Sequence, residues 1–474
     1  MNKLHQNYLY NLLYQIFILL VPLLTAPYLA RVLGAESLGV YGYVYSFTSI
    51  ISSLTLLGIY SYGNRQTAYV RDHLKDLNQF FWEIMILRIV LGIIGSSFFF
   101  ILAHNLNYGI YFLFYYGWFL ATILDVSWIF VGIEKMKPVV LKNFYAKLAT
   151  VVGIFIFIKE ENDLYVYFLI VSLTTLIANL SVYNQLRKVI SKPSIRKKNI
   201  TKHLKGSLNL FLPQVAALLY LQVDKIMIQY LTKDTSQVAF YDQAEKIVLI
   251  PLTLITVLST VMMPRIANEF KKGNKSNVNN YVTKSGEFSL FMAVPLTIGI
   301  GSIATGLIPW YLGNEFIPSS YAIIILSPLI IFNAMTGVFS NQYFTATNQI
   351  GYITKSYFIA AALNIILNIF LIPQIGFKGA AISTLISSGV SFGVQYYYIN
   401  KQINMKKMWS IFIKYLLYSL PMLISVLVIG INFEISFVIT LLQITVGIIV
   451  YILVLYLLKD KIFNEIKKIF KKYF

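Results

Sequence analysis

Residues 207–231 read SLNLFLPQVAALLYLQVDKIMIQYL, and this stretch decides the fold. As a helix it would run about 37 Å, enough to cross a hydrocarbon core of about 30 Å with some tilt. Asp224 and Lys225 sit inside it. A charge at bilayer depth costs about 2.5–3.5 kcal/mol even on the mild insertion scale, so neither is expected to face lipid. Two readings are open: the pair neutralises partners on neighbouring helices, or it lines a polar pathway through the protein.

The rest of the chain fits a membrane setting. It is 57% hydrophobic and only 12% charged, with a mean hydropathy of +0.68, which are not the values of a soluble protein. There is no cysteine, so disulfides and thiolate metal or redox chemistry are excluded. The first apolar stretch, from Tyr8, is far longer than a signal-peptide core and reads as a retained span. About fourteen segments have the length of a spanning helix: 8–33, 38–62, 78–103, 108–133, 139–158, 163–186, 206–231, 238–263, 281–307, 318–345, 351–375, 377–400, 408–430 and 435–458.

The net charge of +20 invites a nucleic-acid reading, but its distribution argues otherwise. With a cytoplasmic N-terminus, the inside segments hold thirty Lys and Arg and the outside loops four: Arg31, Lys159, Lys233 and Lys378. That asymmetry follows the positive-inside rule through every alternation and places both termini in the cytoplasm. The basic run 187–205 then suits anionic headgroups better than a polynucleotide.

The expected architecture is all-α: a polytopic membrane protein of about fourteen transmembrane helices, in two pseudo-symmetric six-helix lobes plus two C-terminal helices. Residues 1–190 form the first lobe, 191–205 a basic cytoplasmic linker, 206–403 the second lobe, and 404–474 two peripheral helices with a basic tail. SLGVYGYV from Ser37 and SQVAFYDQ from Ser236 occupy equivalent turns, and six spans per half give parallel repeats, a symmetry that places binding sites at the repeat interface.

Beyond the groups assigned to loops and span ends, eleven ionisable groups remain within spans: Glu83, Arg88, Asp125, Lys147, Asp224, Lys225, Asp242, Glu245, Lys246, Glu287 and Lys414. All but Lys414, which can snorkel, are expected to face an interior. Asp242 and Lys246, four apart, suit an intrahelical ion pair. Glu83 and Arg88 point about 140° apart on their helix and are not an obvious pair. Arg88 and Lys147, near mid-membrane, have no evident local partner, and an anionic ligand would supply one. Pro22, Pro27, Pro213, Pro251, Pro295 and Pro328 permit kinks in their spans. Asn364 and Asn368, four apart, suit hydrogen bonds that pack helices together.

Several chemistries lack their residues. There is no G-x-x-x-x-G-K-[ST] phosphate loop, and His5, His73, His104 and His203 are scattered among loops without a metal-ligand pattern. No extramembrane segment is long enough for a catalytic domain, so no enzyme activity and no cofactor is expected.

PYLARVLG at 27–34, DVSWIFVGIEK at 125–135, LPQVAALLYLQVDKIMI at 212–228, FYDQAEKIV at 240–248 and ALNIILNIFLIPQIGFKGAAISTLIS at 362–387 resemble the polysaccharide repeat-unit flippases of the multidrug/oligosaccharidyl-lipid/polysaccharide exporter superfamily. The resemblance implies a multi-pass protein of the cytoplasmic (inner or plasma) membrane. It would move an undecaprenyl-pyrophosphate-linked oligosaccharide to the outer leaflet for O-antigen, capsule or related glycan assembly. A polysaccharide polymerase would be a natural partner.

By the same resemblance Arg88, Lys147, Lys225 and Lys246 take a cationic substrate-binding role, and Arg31 guards the outer mouth. Asp125 leads the ion-coupling candidates, followed by Glu83 and Glu287 and then Asp224, Asp242 and Glu245, for coupling to H+ or Na+. The rivals are a drug/cation antiporter of the same architecture and a membrane glycan polymerase or ligase. Arg88 and Lys147 count against the first, and the short outer loops against the second.

Overall fold

The computed structural model describes residues 3–191 and 197–473. Among them there is helix and no strand. This follows from apolar segments whose backbone groups have no water to bond and must satisfy one another within each segment. The chain divides into two compact units, 1–226 and 227–474.

The first unit contains α1 (Lys3–Leu56), α2 (Ile59–Val70), α3 (Leu74–Asn105), α4 (Gly109–Ile123), α5 (Ser127–Gly132), α6 (Lys137–Phe157), α7 (Leu164–Ser181) and α8 (Tyr183–Leu186). Helix α9 (Lys197–Thr232) runs through the boundary at Ile226. The second unit continues with α10 (Thr235–Lys271), α11 (Lys275–Tyr311), α12 (Ile317–Leu326) and α13 (Leu329–Gly337). A π-helical stretch at Val338–Phe344 precedes α14 (Ile350–Ile375), α15 (Phe377–Asn400), α16 (Lys407–Asn432), α17 (Phe437–Leu457) and α18 (Lys461–Tyr473).

Each of the fourteen expected spans lies on helix over most of its length. Eight helices are long and apolar enough to cross a membrane by themselves, and ten spans result when each of two bent pairs counts as one. The count of fourteen is therefore not reached by that measure, which leaves out the charged helices α9 and α10 and the Ser- and Gly-rich α15. Part of the basic segment read as a linker, 192–196, lies outside the described residues, and from Lys197 onward it is helix. KKNITKHLK contains no helix breaker, so the first turns of α9 form there.

The bends have identifiable causes. Within α1 the PYLARVLG motif ends at Gly34, whose φ of 72° and ψ of 178° interrupt the helix. Leu57 and Gly58, both at positive φ, separate α1 from α2 at a 43° bend. Pro328 marks a 49° bend between α12 and α13. Gly34 sits in a backbone region open essentially to glycine alone, where a side chain costs about 1–3 kcal/mol. Gly34→Ala is thus expected to lower the thermal stability of the purified protein. Gly351→Ala, in a helical turn with nothing within 4 Å of the added carbon, should leave it unchanged or raise it slightly.

Cores fill each unit separately. In the first, Ile59, Tyr62, Phe80, Phe81 and Trp128 pack together with Leu186. In the second, Phe291, Met335, Phe339, Met408 and Tyr415 form the centre, and Ile462, Phe463 and Ile466 of α18 pack onto it. Asn364 and Asn368 bond each other at 3.2 Å and reach Thr384 at 3.5 Å and the Met227 sulfur at 3.7 Å, the packing role expected of them. Lys414 does not simply snorkel. It pairs with the buried Asp460, which also accepts from the Ile462 and Phe463 amides and so fixes the start of α18.

Candidate functional site

The expected span 108–133 is broken, and the break is where charge collects in the first unit. Helix α4 ends at Ile123 and α5 begins at Ser127. The last turn of any helix leaves carbonyls without intrahelical donors, a serious cost inside a membrane. Here four consecutive carbonyls are met by side chains from two other helices and the start of a third. Asn179 Nδ2 donates to Ala121 O (2.6 Å), Arg88 Nη2 to Thr122 O (2.6 Å), Arg88 Nε to Ile123 O (2.9 Å) and Tyr183 OH to Leu124 O (2.9 Å).

Arg88 therefore does have partners, contrary to the expectation, but they are backbone atoms rather than side chains. The guanidinium also places its charge at a helix C-terminus, where the dipole favours a cation. Its third nitrogen, Nη1, is buried and has no hydrogen-bond partner.

Asp125 occupies the other side of the break. Its Oδ1 accepts from the Ser127 amide (3.0 Å), the Ser127 hydroxyl (2.5 Å) and Lys142 Nζ (2.6 Å). A carboxylate two residues ahead of α5 suits the positive end of that helix. Lys142 Nζ also donates to Asn179 Oδ1 at 2.6 Å, which closes the network onto the carbonyl side. Lys142, only 6% exposed, is one of the thirty Lys and Arg that the charge distribution assigns to the inside segments. Its position at the edge of the predicted span 139–158 was the available signal.

A second polar cluster lies between α2, α3 and α9. Glu83 (1% exposed) accepts from Gln79 Nε2 at 2.7 Å and meets His203 Nε2 at 2.8 Å, while Tyr62 OH meets His203 Nδ1 at 2.9 Å. Sequence reading placed His203 in a loop. It falls instead on the early turns of α9, three residues before the segment recognised as a span.

The remaining sites divide by unit. Lys147 on α6 and Arg31 on α1 are exposed in the first unit, so burial does not hold for Lys147. Asp224 and Lys225 are buried side by side in sequence on α9. In the second unit Asp242 pairs with Lys246 at 2.5 Å across one turn, as their spacing suggested. Lys246 keeps half its surface exposed, and Glu245 beside it is buried. Glu287 pairs with Lys407 at 3.1 Å. Among the described residues no group of three or more His, Asp or Glu could hold a metal ion.

An all-helical chain with long apolar spans, broken helices and buried charge has the build of a polytopic transporter. It matches the family described as "Polysaccharide biosynthesis protein" over residues 4–270 and the one described as "Lipid II flippase MurJ" over residues 146–455. The chain belongs to the polysaccharide biosynthesis protein family, the polysaccharide flippases of the multidrug/oligosaccharidyl-lipid/polysaccharide superfamily.

A protein of Escherichia coli (strain K12) named "Putative O-antigen transporter" is 22% identical over 396 residues, 81% of this chain and 93% of that protein. Among solved structures, lipid II flippase MurJ in an inward closed conformation superposes with a TM-score of 0.76 at 19% identity, covering 96% of this chain and all of the other. An inward-facing multidrug resistance MATE family transporter superposes at 0.64 with 14% identity, covering 85% of this chain and 95% of the other. These two likenesses establish the fold.

Proposed function

We propose that this protein moves an undecaprenyl-pyrophosphate-linked oligosaccharide repeat unit from the cytoplasmic to the outer leaflet by alternating access, in the assembly of a surface polysaccharide. The observation that carries the reading is membership of the polysaccharide family, together with a relative named as an O-antigen transporter that the chain matches over 93% of its length. A pyrophosphate diester cannot cross hydrocarbon unaided, and cations inside the protein offset its desolvation. The proposed donors are Arg88 through its unpartnered Nη1, with Lys147, Lys225 and Lys246, and with Arg31 at the outer mouth. Termini on the cytoplasmic side follow from the charge asymmetry of the loops.

Coupling to H+ or Na+ would use buried carboxylates. Asp125 is the leading candidate, and through Lys142 and Ser127 it also holds the α4 break. Glu83 and Glu287 follow it, with Asp224, Asp242 and Glu245 as the further set.

Deleting the gene in its host tests the function. Loss of surface polysaccharide with accumulation of lipid-linked repeat units supports it. Normal polysaccharide, with loss of efflux of a cationic dye such as ethidium, would make the protein a drug exporter instead.

A further inference from the structure

Helix α18 follows α17 after a short connection, residues 458–460, in which Lys459 takes a φ of 50°. Helix α17 is long and apolar enough to cross a membrane, and Tyr456, Leu457 and Leu458 at its end are exposed. A connection of that length reaches at most about 14 Å, so α18 starts at the surface of the membrane that α17 crosses. It also turns back. Lys467 Nζ lies 4.9 Å from the centre of the Tyr456 ring, whereas a straight continuation would set residues 456 and 467 about 16 Å apart along the axis.

The sequence of α18 divides into two faces. At about 100° per residue, Ile462, Phe463, Ile466, Ile469 and Phe470 share one stripe about 120° wide, and the five lysines of 461–474 fall outside it. The first part of the stripe is seated on the protein, because Ile462, Phe463 and Ile466 pack onto the core of the second unit. Asp460, 2% exposed, fixes that seat: it accepts from the Ile462 and Phe463 amides at 3.0 and 3.1 Å and pairs with Lys414 of α16. Lys461, Lys467 and Lys468 are exposed, and Glu465 is the single acidic residue of 461–474.

We propose that α18 is a membrane-surface helix that binds anionic phospholipid headgroups, on the leaflet that the loop charges assign to the cytoplasm. Charge decides the occupant: five lysines against one glutamate match a surface of phosphates. Each lysine close to an anionic surface strengthens binding about five-fold, and its long stem lets the ammonium reach the headgroups while the carbons cover apolar surface. The stripe continues in Ile469 and Phe470, which suits the acyl boundary beneath the headgroups, an apolar layer that a soluble polyanion lacks. Through Asp460 the lower ends of α16 and α17 are thereby tied to the lipid surface and not held by their apolar length alone.

The test needs no substrate. Hydrogen exchange of the full chain is followed for amides 466–473, in nanodiscs of phosphatidylcholine alone and of phosphatidylcholine with phosphatidylglycerol. At low ionic strength exchange is expected to be at least about ten-fold slower with phosphatidylglycerol present, the combined effect of several lysines. Raising the salt to about 1 M, where the screening length falls to about 3 Å, should remove most of that difference. The combined Lys461→Gln, Lys467→Gln, Lys468→Gln, Lys471→Gln and Lys472→Gln chain should abolish it, and arginine at the same five positions should keep it.

Equal exchange of the wild type in the two lipids would overturn the proposal, as would a difference that survives the glutamine replacements. Equal exchange that slows only when soluble polyglutamate is added would also overturn it, and would assign the lysines to an acidic protein partner. The lipid comparison and the salt arm use the wild type alone, so they decide the matter even if the glutamine chain fails to fold. Failure here leaves the flippase reading standing. A chain whose α18 binds anionic lipid but whose deletion has no polysaccharide phenotype would refute the flippase reading alone.

Discussion

Lys142→Met should be among the most destabilising single substitutions in the first unit. It removes the cation beside Asp125 and leaves a carboxylate beside a helix break with its chief counter-charge gone; losing one partner of a buried pair costs about 3–5 kcal/mol. It also strips Asn179 Oδ1 of its donor, so the amide that caps Ala121 O loses its anchor. Thermal unfolding in detergent, followed by tryptophan fluorescence, reads the effect. A surface pair provides the control: Glu134→Gln breaks the Arg71–Glu134 ion pair, in which both side chains are exposed, and such pairs contribute about 0.2–1 kcal/mol. The double variant Asp125→Asn with Lys142→Met should recover much of the loss, because no unpaired charge remains. A double variant as unstable as Lys142→Met would show that the break does not depend on this pair.

The second large effect is expected at Arg88. Arg88→Ala leaves Thr122 O and Ile123 O without donors, and an unsatisfied buried carbonyl costs about 1–3 kcal/mol. A loss of about 3 kcal/mol is expected, together with loss of transport. Arg88→Lys separates the two roles. An ammonium keeps the charge at the end of α4 and can meet one carbonyl, but it cannot hold both carbonyls and leave a third planar donor for a ligand. Partial recovery of stability without recovery of transport would assign Nη1 to substrate. Recovery of both in parallel would make Arg88 a fold residue only.

The contrast between these sites shows what a sequence can reveal. Apolar length placed the spans because membrane insertion depends on local composition, and the Asp242 and Lys246 pair was legible because its partners are one helical turn apart. The break at Leu124–Val126 was not legible. It is stabilised by Arg88, Lys142, Asn179 and Tyr183, residues between 17 and 59 positions from their partners in the chain. Nothing local announces such a break except Asp125 followed by Ser127. For the same reason Arg88 looked unpartnered: a search for opposite charges does not find backbone carbonyls. His203 was hidden differently, since the basic residues around it read as a loop although they start a helix. Pro328 and Gly34 mark real bends, yet their residue types alone do not give the angle or distinguish them from prolines that helices such as α10 and α11 absorb.

The most direct test of the central claim is the sidedness of lipid-linked repeat units in host cells depleted of this protein. Spheroplasts are treated with a membrane-impermeant lectin or periodate before the lipids are extracted. The account predicts that the accumulated intermediates are shielded on the inner leaflet and become accessible when wild-type protein is restored. Intermediates that are accessible from outside in its absence would contradict a flippase and place the protein at a later step.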